Sequence, residues 1–407
     1  MPSGRLLADL RPLRESAGFR RLWAGQTLSG VGSQVTAVAV PIQIYEQTHS
    51  SLAVGLTGLA VGVPAIAVGL LGGVIADRVE RRGLVIITSA ALALVSLALM
   101  AQAALGLASV ALLYALLTLQ SCVVAVDAPA RRTFTPRLLP PERLLAASAL
   151  AQFSYQGSTM LGPLLAGFII AGAGLPAAYA FDAVSFAAAL WGVLGLPHMP
   201  PEGDARPGFR EALDGFRFVM ATPILAAMAL TDIAAMVFGM PRALFPALAA
   251  TRFGGGAAAV GMLYAAIAVG GVVASVFSGP LARVRRQGVL VACVAGAWGL
   301  ATALFALTTS LPLALLLLAA AGACDLVSVV VRQTMQLVLT PDALRGRVGA
   351  FGFAVGSGGP RLGDVESGLV ASLSSPVISA VSGGLACVAC VALLAWRLPA
   401  IRRYRAP

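Results

Sequence analysis

Long apolar stretches recur from one end of the chain to the other, and they constrain its fold more than any other feature. A helix needs about 20 apolar residues to cross the hydrocarbon core of a bilayer, which is about 30 Å thick. Charged residues make up only 11% of the 407 residues, against about 25% in a typical soluble domain. The sequence therefore predicts an all-α polytopic membrane protein.

The distribution of arginine predicts the orientation of the chain. Twelve transmembrane spans are predicted, at 18–46, 52–77, 83–104, 107–127, 146–170, 175–196, 222–250, 257–282, 287–308, 311–334, 347–373 and 375–396. All 28 basic residues are arginines, and with a cytoplasmic N-terminus all but Arg242, Arg252 and Arg361 lie on the tails or on inner loops. Because basic residues concentrate on cytoplasmic loops, we expect both termini in the cytoplasm. The net charge of +11 is then an orientation signal with some attraction to anionic membrane lipid, and it does not indicate nucleic-acid binding.

The composition disfavours several classes of chemistry. The five cysteines lie within predicted spans, where free cysteine is usually a packing residue. His49 and His198 are the only histidines, so no metal site is expected. The sequence has no Gly-x-x-x-x-Gly-Lys-Ser/Thr loop, and its glycine-rich stretch 356–360 follows no strand, which argues against nucleotide binding. We therefore expect neither an enzyme nor a bound cofactor.

The two halves of the chain carry matching sequence. Residues 54–56 (VGL) match 260–262 (VGM), and residues 73–83 match 279–288 if one residue is dropped. The matches flank the longest polar stretch and divide the chain into a bundle at 1–197, a cytoplasmic linker at 198–221 and a bundle at 222–407. Two six-helix bundles related by a parallel repeat, with the substrate site between them, are a known transporter plan.

The stretch GVIADRVERR, residues 73–82, ends the second apolar span with a cluster of charges. It resembles the signature loop between helices 2 and 3 of the major facilitator superfamily, except that Glu80 stands where the family usually has glycine. With twelve spans and duplicated halves, the resemblance covers nearly the whole chain. It implies the major facilitator fold and a monomer.

This loop predicts a cytoplasmic latch. Its predicted members are Gly73, Asp77, Arg78, Arg81, Arg82 and Asp127. Asp77 can face the positive N-terminal end of span 11, near Arg347 and Val348. The resemblance implies that Arg81 pairs with Asp127. The alternative is that the arginines only set the topology, which we favour for Arg82.

Carboxylates within the bilayer are the natural proton carriers of a transporter without a nucleotide site. Asp232 is the first candidate, because it lies about ten residues into span 7 and hence ~15 Å deep. Met228, Met236 and Met240 share its helix face by their spacing of four. Asp325 on span 10 is the second candidate, although it can equally form a salt bridge with Arg332.

Each of spans 1, 4, 7 and 10 carries a polar or flexible stripe, and these spans line the central cavity in the superfamily. The predicted cavity residues are Gln26, Ser29, Ser33, Tyr114, Thr118, Ser121, Met228, Met236, Met240 and Ser328. The alternative for the hydroxyl residues is hydrogen bonding between neighbouring helices.

A second charged group is predicted near the outer side, in GGPRLGDVESG and on span 7. Arg361 and Asp364 are three residues apart and can meet on one face, whereas Glu366 points away. Arg242, Arg361, Asp364 and Glu366 are predicted to form an outer gate or an anion-binding cluster. The alternative is a static structural network.

The fifth predicted span, 146–170, contains STMLGPLLAG, residues 158–167. This stretch resembles the Gly-Pro motif of antiporters in the superfamily. Gly162, Pro163 and Gly167 are its central residues, and Pro163 is expected to kink the helix.

Three stretches, 127–144, 230–249 and 358–373, look like the bacterial exporters that include enterobactin-type siderophore exporters and macrolide efflux proteins. The resemblance implies a proton-coupled exporter of a siderophore-like small molecule in the bacterial cytoplasmic membrane. Efflux of drugs such as macrolides is the second hypothesis. A membrane receptor or scaffold that transports nothing is the third.

Overall fold

The computed structural model describes residues 9–200 and 209–406, with their side chains except those of residues 70–78, 209–212 and 282–283. The described residues form α-helices and three short 3-10 turns, without a strand. The helices are α1 Arg11–Glu15, α2 Ala17–Thr48, α3 Ser51–Arg78, α4 Arg81–Ala104, α5 Val110–Arg132, α6 Phe134–Leu138, α7 Pro141–Leu194, α8 Phe209–Ala221, α9 Pro223–Phe238, α10 Phe245–Arg252, α11 Ala257–Val276, α12 Gln287–Leu307, α13 Leu311–Leu339, α14 Arg345–Leu373, α15 Pro376–Arg397 and α16 Pro399–Arg403.

Nine helical stretches of the described chain are long and apolar enough to cross a membrane, judged by length and composition. The prediction of an all-α membrane protein is therefore confirmed. One of the nine is α7, which is 54 residues long and has non-helical backbone at Gly174, with φ 81° and ψ 176°. Glycine adopts this conformation because it has no Cβ. The break lies between the predicted spans 146–170 and 175–196.

The predicted span 222–250 matches the candidate membrane span Pro223–Arg252, but it is not one continuous helix. Helix α9 ends at Phe238, a 3-10 turn follows at Arg242–Leu244, and α10 begins at Phe245. Pro241 has no N–H to continue the helix. The carbonyl of Gly239 accepts hydrogen bonds from Trp298 Nε1 and Thr302 Oγ1 instead.

This break displaces two predicted site residues from the helix. Met240 lies between α9 and the 3-10 turn, and Arg242 opens that turn. The stripe predicted from Met228 through Asp232 and Met236 therefore ends with Met236, because only those three positions lie on α9.

The predicted linker contains the amphipathic helix α8, which packs on the start of α14. Val219 is fully buried in a cluster with Leu225 and Val348. A Cβ on Gly215 would clash with the main-chain carbonyl of Arg347, and the Arg347 guanidinium lies 3.2 Å from an Asp214 carboxylate oxygen. These contacts hold the N-terminal end of α14.

The chain divides into two compact units at Pro41 and Pro64, which lie inside α2 and α3. One unit comprises Met1–Val40 and Pro64–Arg206, and the other comprises Pro41–Val63 and Pro207–Pro407. The first unit has an apolar core around Leu22, Val85, Phe134 and Val193. The core of the second unit contains Ile224, Val291, Met335 and Ile401.

Candidate functional site

An ion pair joins two apolar helices of the second unit. Asp232 on α9 contacts the guanidinium of Arg332 on α13, and each of these side chains is only 12% exposed. Arg332 Nε also donates to the hydroxyl and the main-chain carbonyl of Ser328, at 3.2 and 3.3 Å. A buried charge needs such partners, because its desolvation costs several kcal/mol, on the order of the attraction within the pair.

Asp325 shares a small cleft with this ion pair. The cleft is lined by Asp232, Ala235, Met236, Ala295, Trp298, Cys324, Asp325 and Ser328. The fields of Arg332, Asp232 and Arg242 act on Asp325, but it forms no hydrogen bond or ion pair within the described chain. The alternative salt bridge between Asp325 and Arg332 is therefore not formed, because Arg332 contacts Asp232. Two carboxylates and one guanidinium leave this group with one excess negative charge.

The predicted methionines occupy three different environments. Met236 lines the cleft beside Asp232. Met228 lies in an apolar cluster with Val331 and Met335, and Met240 packs against Trp298. Only Met236 and Ser328 of the predicted cavity residues in this unit border the cleft.

The remaining predicted cavity residues belong to the first unit. Gln26, Ser29 and Ser33 lie on α2, and Tyr114, Thr118 and Ser121 lie on α5. The Ser29 hydroxyl donates to the Gln26 carbonyl at 3.3 Å, which is the bonding expected of a helix-internal serine.

The second charged group lies on α14 and in the turn after α9. Arg361 and Asp364 face each other at 3.9 Å. Asp364 Oδ1 and Arg242 Nε are buried without a hydrogen-bond partner. The Arg242 carbonyl accepts from the hydroxyl of Tyr264 at 3.1 Å, and Glu366 is partly exposed on α14. Two buried polar atoms without a hydrogen-bond partner among the described residues are unusual in a satisfied network.

Small residues bring helices into contact around this group. A Cβ on Gly58 would lie 2.5 Å from the carbonyl of Arg361, and a Cβ on Gly359 would lie 2.9 Å from the sulfur of Met236. Gly363 meets the main chain of Met236 and Val237. The glycine pairs 58/62 and 359/363, each spaced by four residues, therefore allow close approach of neighbouring helices.

The predicted latch is described only in part. Gly73, Asp77 and Arg78 lie outside the described side chains. Asp127 accepts hydrogen bonds from Thr88 and Arg131. Arg81 is 6% exposed, and its pairing with Asp127 stays a prediction.

Glu80, which departs from the glycine usual in the superfamily, has a structural role at the start of α4. Its carboxylate caps α4 by accepting from the N–H groups of Arg82 and Gly83, and it accepts from Met199 N at 3.0 Å. Partial burial raises the pKa of Glu80, but these backbone hydrogen bonds outweigh it and lower the pKa below its ordinary value. Arg82 adds a bond from Nη2 to the Leu194 carbonyl at 2.7 Å. The loop between α3 and α4 is thereby bound to the end of α7 and the residues that follow it.

Two further features lie on α7. The helix runs on through Gly162, Pro163 and Gly167, all buried, so the kink at Pro163 stays a prediction. Asp182 is fully buried and accepts from Thr36 at 2.7 Å and from Ser96 at 2.8 Å. Its hydroxyl partners come from α2 and α4, which identifies a structural network that links three helices.

Comparison with known proteins gives a consistent result along the whole chain. The model of the transmembrane secretion effector family (MFS_3) matches residues 7–405. The enterobactin exporter EntS of Shigella boydii serotype 18 is 31% identical over 401 residues, which cover 98% of this chain and 96% of the relative. EntS of Escherichia coli O81 has the same identity and coverage.

Solved structures of more distant proteins share the fold. A POT family transporter in complex with 5-aminolevulinic acid superposes with a TM-score of 0.76 at 12% identity, covering 95% of this chain and 97% of the other. A bacterial homologue of the iron transporter ferroportin, in an inward-facing state, superposes with a TM-score of 0.72 at 17% identity, covering 95% and 99%.

Proposed function

Since the chain belongs to the transmembrane secretion effector family of the major facilitator superfamily, we propose that it exports a siderophore-like small molecule by proton-coupled alternating access. The protein is a multi-pass transporter of the bacterial inner membrane and not an enzyme. The observation that carries the proposal is the cleft between α9 and α13, where Asp232 and Arg332 pair beside Asp325.

The pairing within this cleft assigns different roles to the two predicted proton carriers. Asp232 forms a buried ion pair with Arg332, and loss of one partner from such a pair costs about 3–5 kcal/mol. Asp325 has no such partner within the described residues, and with one proton on it the formal charges of the three side chains sum to zero. Asp325 therefore takes up and releases the proton, and Asp232 positions Arg332.

A siderophore-like substrate fits the second charged group. Siderophores of the enterobactin type carry phenolates or carboxylates, and a guanidinium binds such anions with charge-assisted hydrogen bonds. Arg242 has an unpaired Nε, and Arg361 lies 3.9 Å from Asp364. Drug efflux is the second candidate, because a largely apolar cleft that contains Met236 and two carboxylates also suits amphipathic cations. A receptor without transport is disfavoured, since it gains nothing from buried charge.

The transport cycle that we propose uses twelve spans in two six-helix bundles, with both termini in the cytoplasm. The break at Gly174 divides α7 into two membrane-length pieces, and α2 and α14 are long enough to add two spans to the nine. Asp77, Arg81 and Asp127 form the cytoplasmic latch, and Arg242, Arg361, Asp364 and Glu366 form the outer gate. The protein works as a monomer.

The test is export by an iron-starved deletion strain that carries the wild-type gene or single variants. Mass spectrometry measures the siderophore in the supernatant and in the cell extract. We expect the deletion strain to retain the siderophore, and we expect wild type but neither Asp325→Asn nor Asp232→Asn to restore export. Asp342→Asn is the matched control, because Asp342 is an exposed carboxylate that pairs with Arg345 outside the cleft.

The outcomes of this experiment test the substrate and the role of Asp325 separately. An unchanged siderophore partition in the deletion strain would reject the substrate and direct the same strains to drug-susceptibility tests. Full export by Asp325→Asn would reject the role of that carboxylate, while the wild-type result would still support export.

A further inference from the structure

Six arginines lie at one end of the second unit, around the start of α12 and the end of α15. They are Arg285, Arg286, Arg397, Arg402, Arg403 and Arg405, and all are exposed. Helix α12 begins at Gln287 and α15 ends at Arg397, and both helices are long and apolar enough to cross the membrane. The ends of membrane-spanning helices lie at the level of the lipid headgroups. These arginines, here called the basic patch, therefore lie at the membrane surface.

The basic patch is built from two segments that are far apart in sequence. Ala406 N donates to the Arg285 carbonyl at 2.8 Å. Ile401 is fully buried, and a Cβ on Gly288 would clash with its main-chain carbonyl. The C-terminal segment is therefore fixed against the start of α12, and this contact gathers the arginines.

The basic patch has no anionic partner in the described part of the chain. Some arginines elsewhere in the chain do have one: Arg11 pairs with Asp9, Arg143 with Glu15 and Arg345 with Asp342. The six arginines make no ion pair with any described carboxylate. A concentration of guanidinium groups without ion pairs attracts anions. If these arginines only set the orientation of the chain in the membrane, the C-terminal segment would not need to be fixed in place.

An exposed tryptophan marks the lipid-facing side of the basic patch. Trp396 is 64% exposed, and the guanidinium of Arg397 lies 4.9 Å from its ring centre. Arg402 Nη2 donates to the Trp396 carbonyl at 3.1 Å. Tryptophan is enriched at the membrane–water interface, where its ring meets the headgroup region.

We propose that the basic patch binds the phosphate headgroup of anionic phospholipids. The phosphate contacts the guanidinium groups, which can bind it through two parallel hydrogen bonds, and the indole of Trp396 packs beside the glycerol region. This site lies on the exposed surface of the second unit. Lipid binding there does not depend on which substrate the protein transports.

The test uses the full-length protein in detergent and counts bound lipids by native mass spectrometry during titration with phosphatidylglycerol or phosphatidylcholine. The variant is R402Q/R403Q/R405Q, and the control R11Q/R143Q/R345Q removes the same charge from arginines that are already paired. We expect the variant to lose phosphatidylglycerol affinity on the order of 100-fold at low salt, with less than about a twofold change in the control. Phosphatidylcholine binding should be equal in all three proteins.

Further arms separate folding and free phosphate from lipid recognition. R402K/R403K/R405K keeps the charge and should keep most of the affinity, which would exclude a folding defect. Inorganic phosphate at millimolar concentration should not displace the lipid, because it lacks the acyl chains that anchor the headgroup at the surface. Equal loss in the variant and the control, or displacement by phosphate, would overturn the proposal.

Discussion

Removal of Arg332 is expected to destabilise the protein more than removal of either carboxylate beside it. Arg332→Gln leaves Asp232 and Asp325 on one cleft without a bonded cation, and loss of one partner from a buried pair costs about 3–5 kcal/mol. Asp232→Asn leaves Arg332 next to Asp325, on which its field already acts. We expect a smaller loss there, of about 1–3 kcal/mol, for an incompletely paired group. Asp325→Asn removes a carboxylate that has no hydrogen-bond or ion-pair partner in the described chain, so it should lower stability least.

The assay is thermal unfolding of the purified variants in detergent at pH 7, followed by intrinsic tryptophan fluorescence. The double variant Asp232→Asn with Arg332→Gln is the internal control, because replacement of a whole buried ion pair by neutral groups is often close to neutral. It should be more stable than Arg332→Gln alone. A double variant that is no more stable than Arg332→Gln, or an Asp325→Asn variant that unfolds as early as Arg332→Gln, would contradict this prediction.

Three further predictions concern contacts outside this ion pair. Glu80→Gln should lower stability by about 1 kcal/mol at pH 7, because the amide is a weaker cap for α4. Folding lowers the pKa of Glu80 from its ordinary value of 4.5, so the stability difference from wild type is present above pH 4.5 and should vanish as the pH falls through the pKa of the folded state. Thermal melting of both proteins at several pH values measures it. Trp298→Phe should lower stability by about 1 kcal/mol, since the Gly239 carbonyl loses one of its two donors; equal melting of wild type and variant would contradict this. Gly363→Leu should abolish export because its Cβ meets the main chain of α9, whereas Gly349→Leu has open space and should export normally.

Most of the helices could be predicted from the sequence, because the length of an apolar run is a local signal. The predicted span 287–308 corresponds to α12 at Gln287–Leu307, and 347–373 to α14 at Arg345–Leu373. The interruption after Phe238 was missed, although Gly239 and Pro241 are visible in the sequence. Proline and glycine are tolerated within transmembrane helices, and the donor that stabilises the break, Trp298, lies 59 residues away.

Pairing among charges was harder to predict than the choice of residues. Asp325 and Arg332 are seven residues apart on α13, so local spacing made them a natural pair. The actual partner of Arg332 is Asp232, 100 positions earlier in the numbering, and only the packing of α9 on α13 brings the two together. Glu80 was undervalued for the same reason, because its bond to Met199 spans 119 residues.

Helix α14 connects the features that the sequence suggested separately. At its N-terminal end it is held by α8 through the contact of Arg347 with Asp214. Gly359 and Gly363 bring it against Met236, the methionine that borders the Asp232 cleft. Arg361 and Asp364 lie on the same turns of the helix. A displacement of α9 at the cleft must therefore move the second charged group or open a void beside it, since interiors this closely packed do not deform gradually. This is why a bulky residue at Gly363 is expected to disturb both groups of charges.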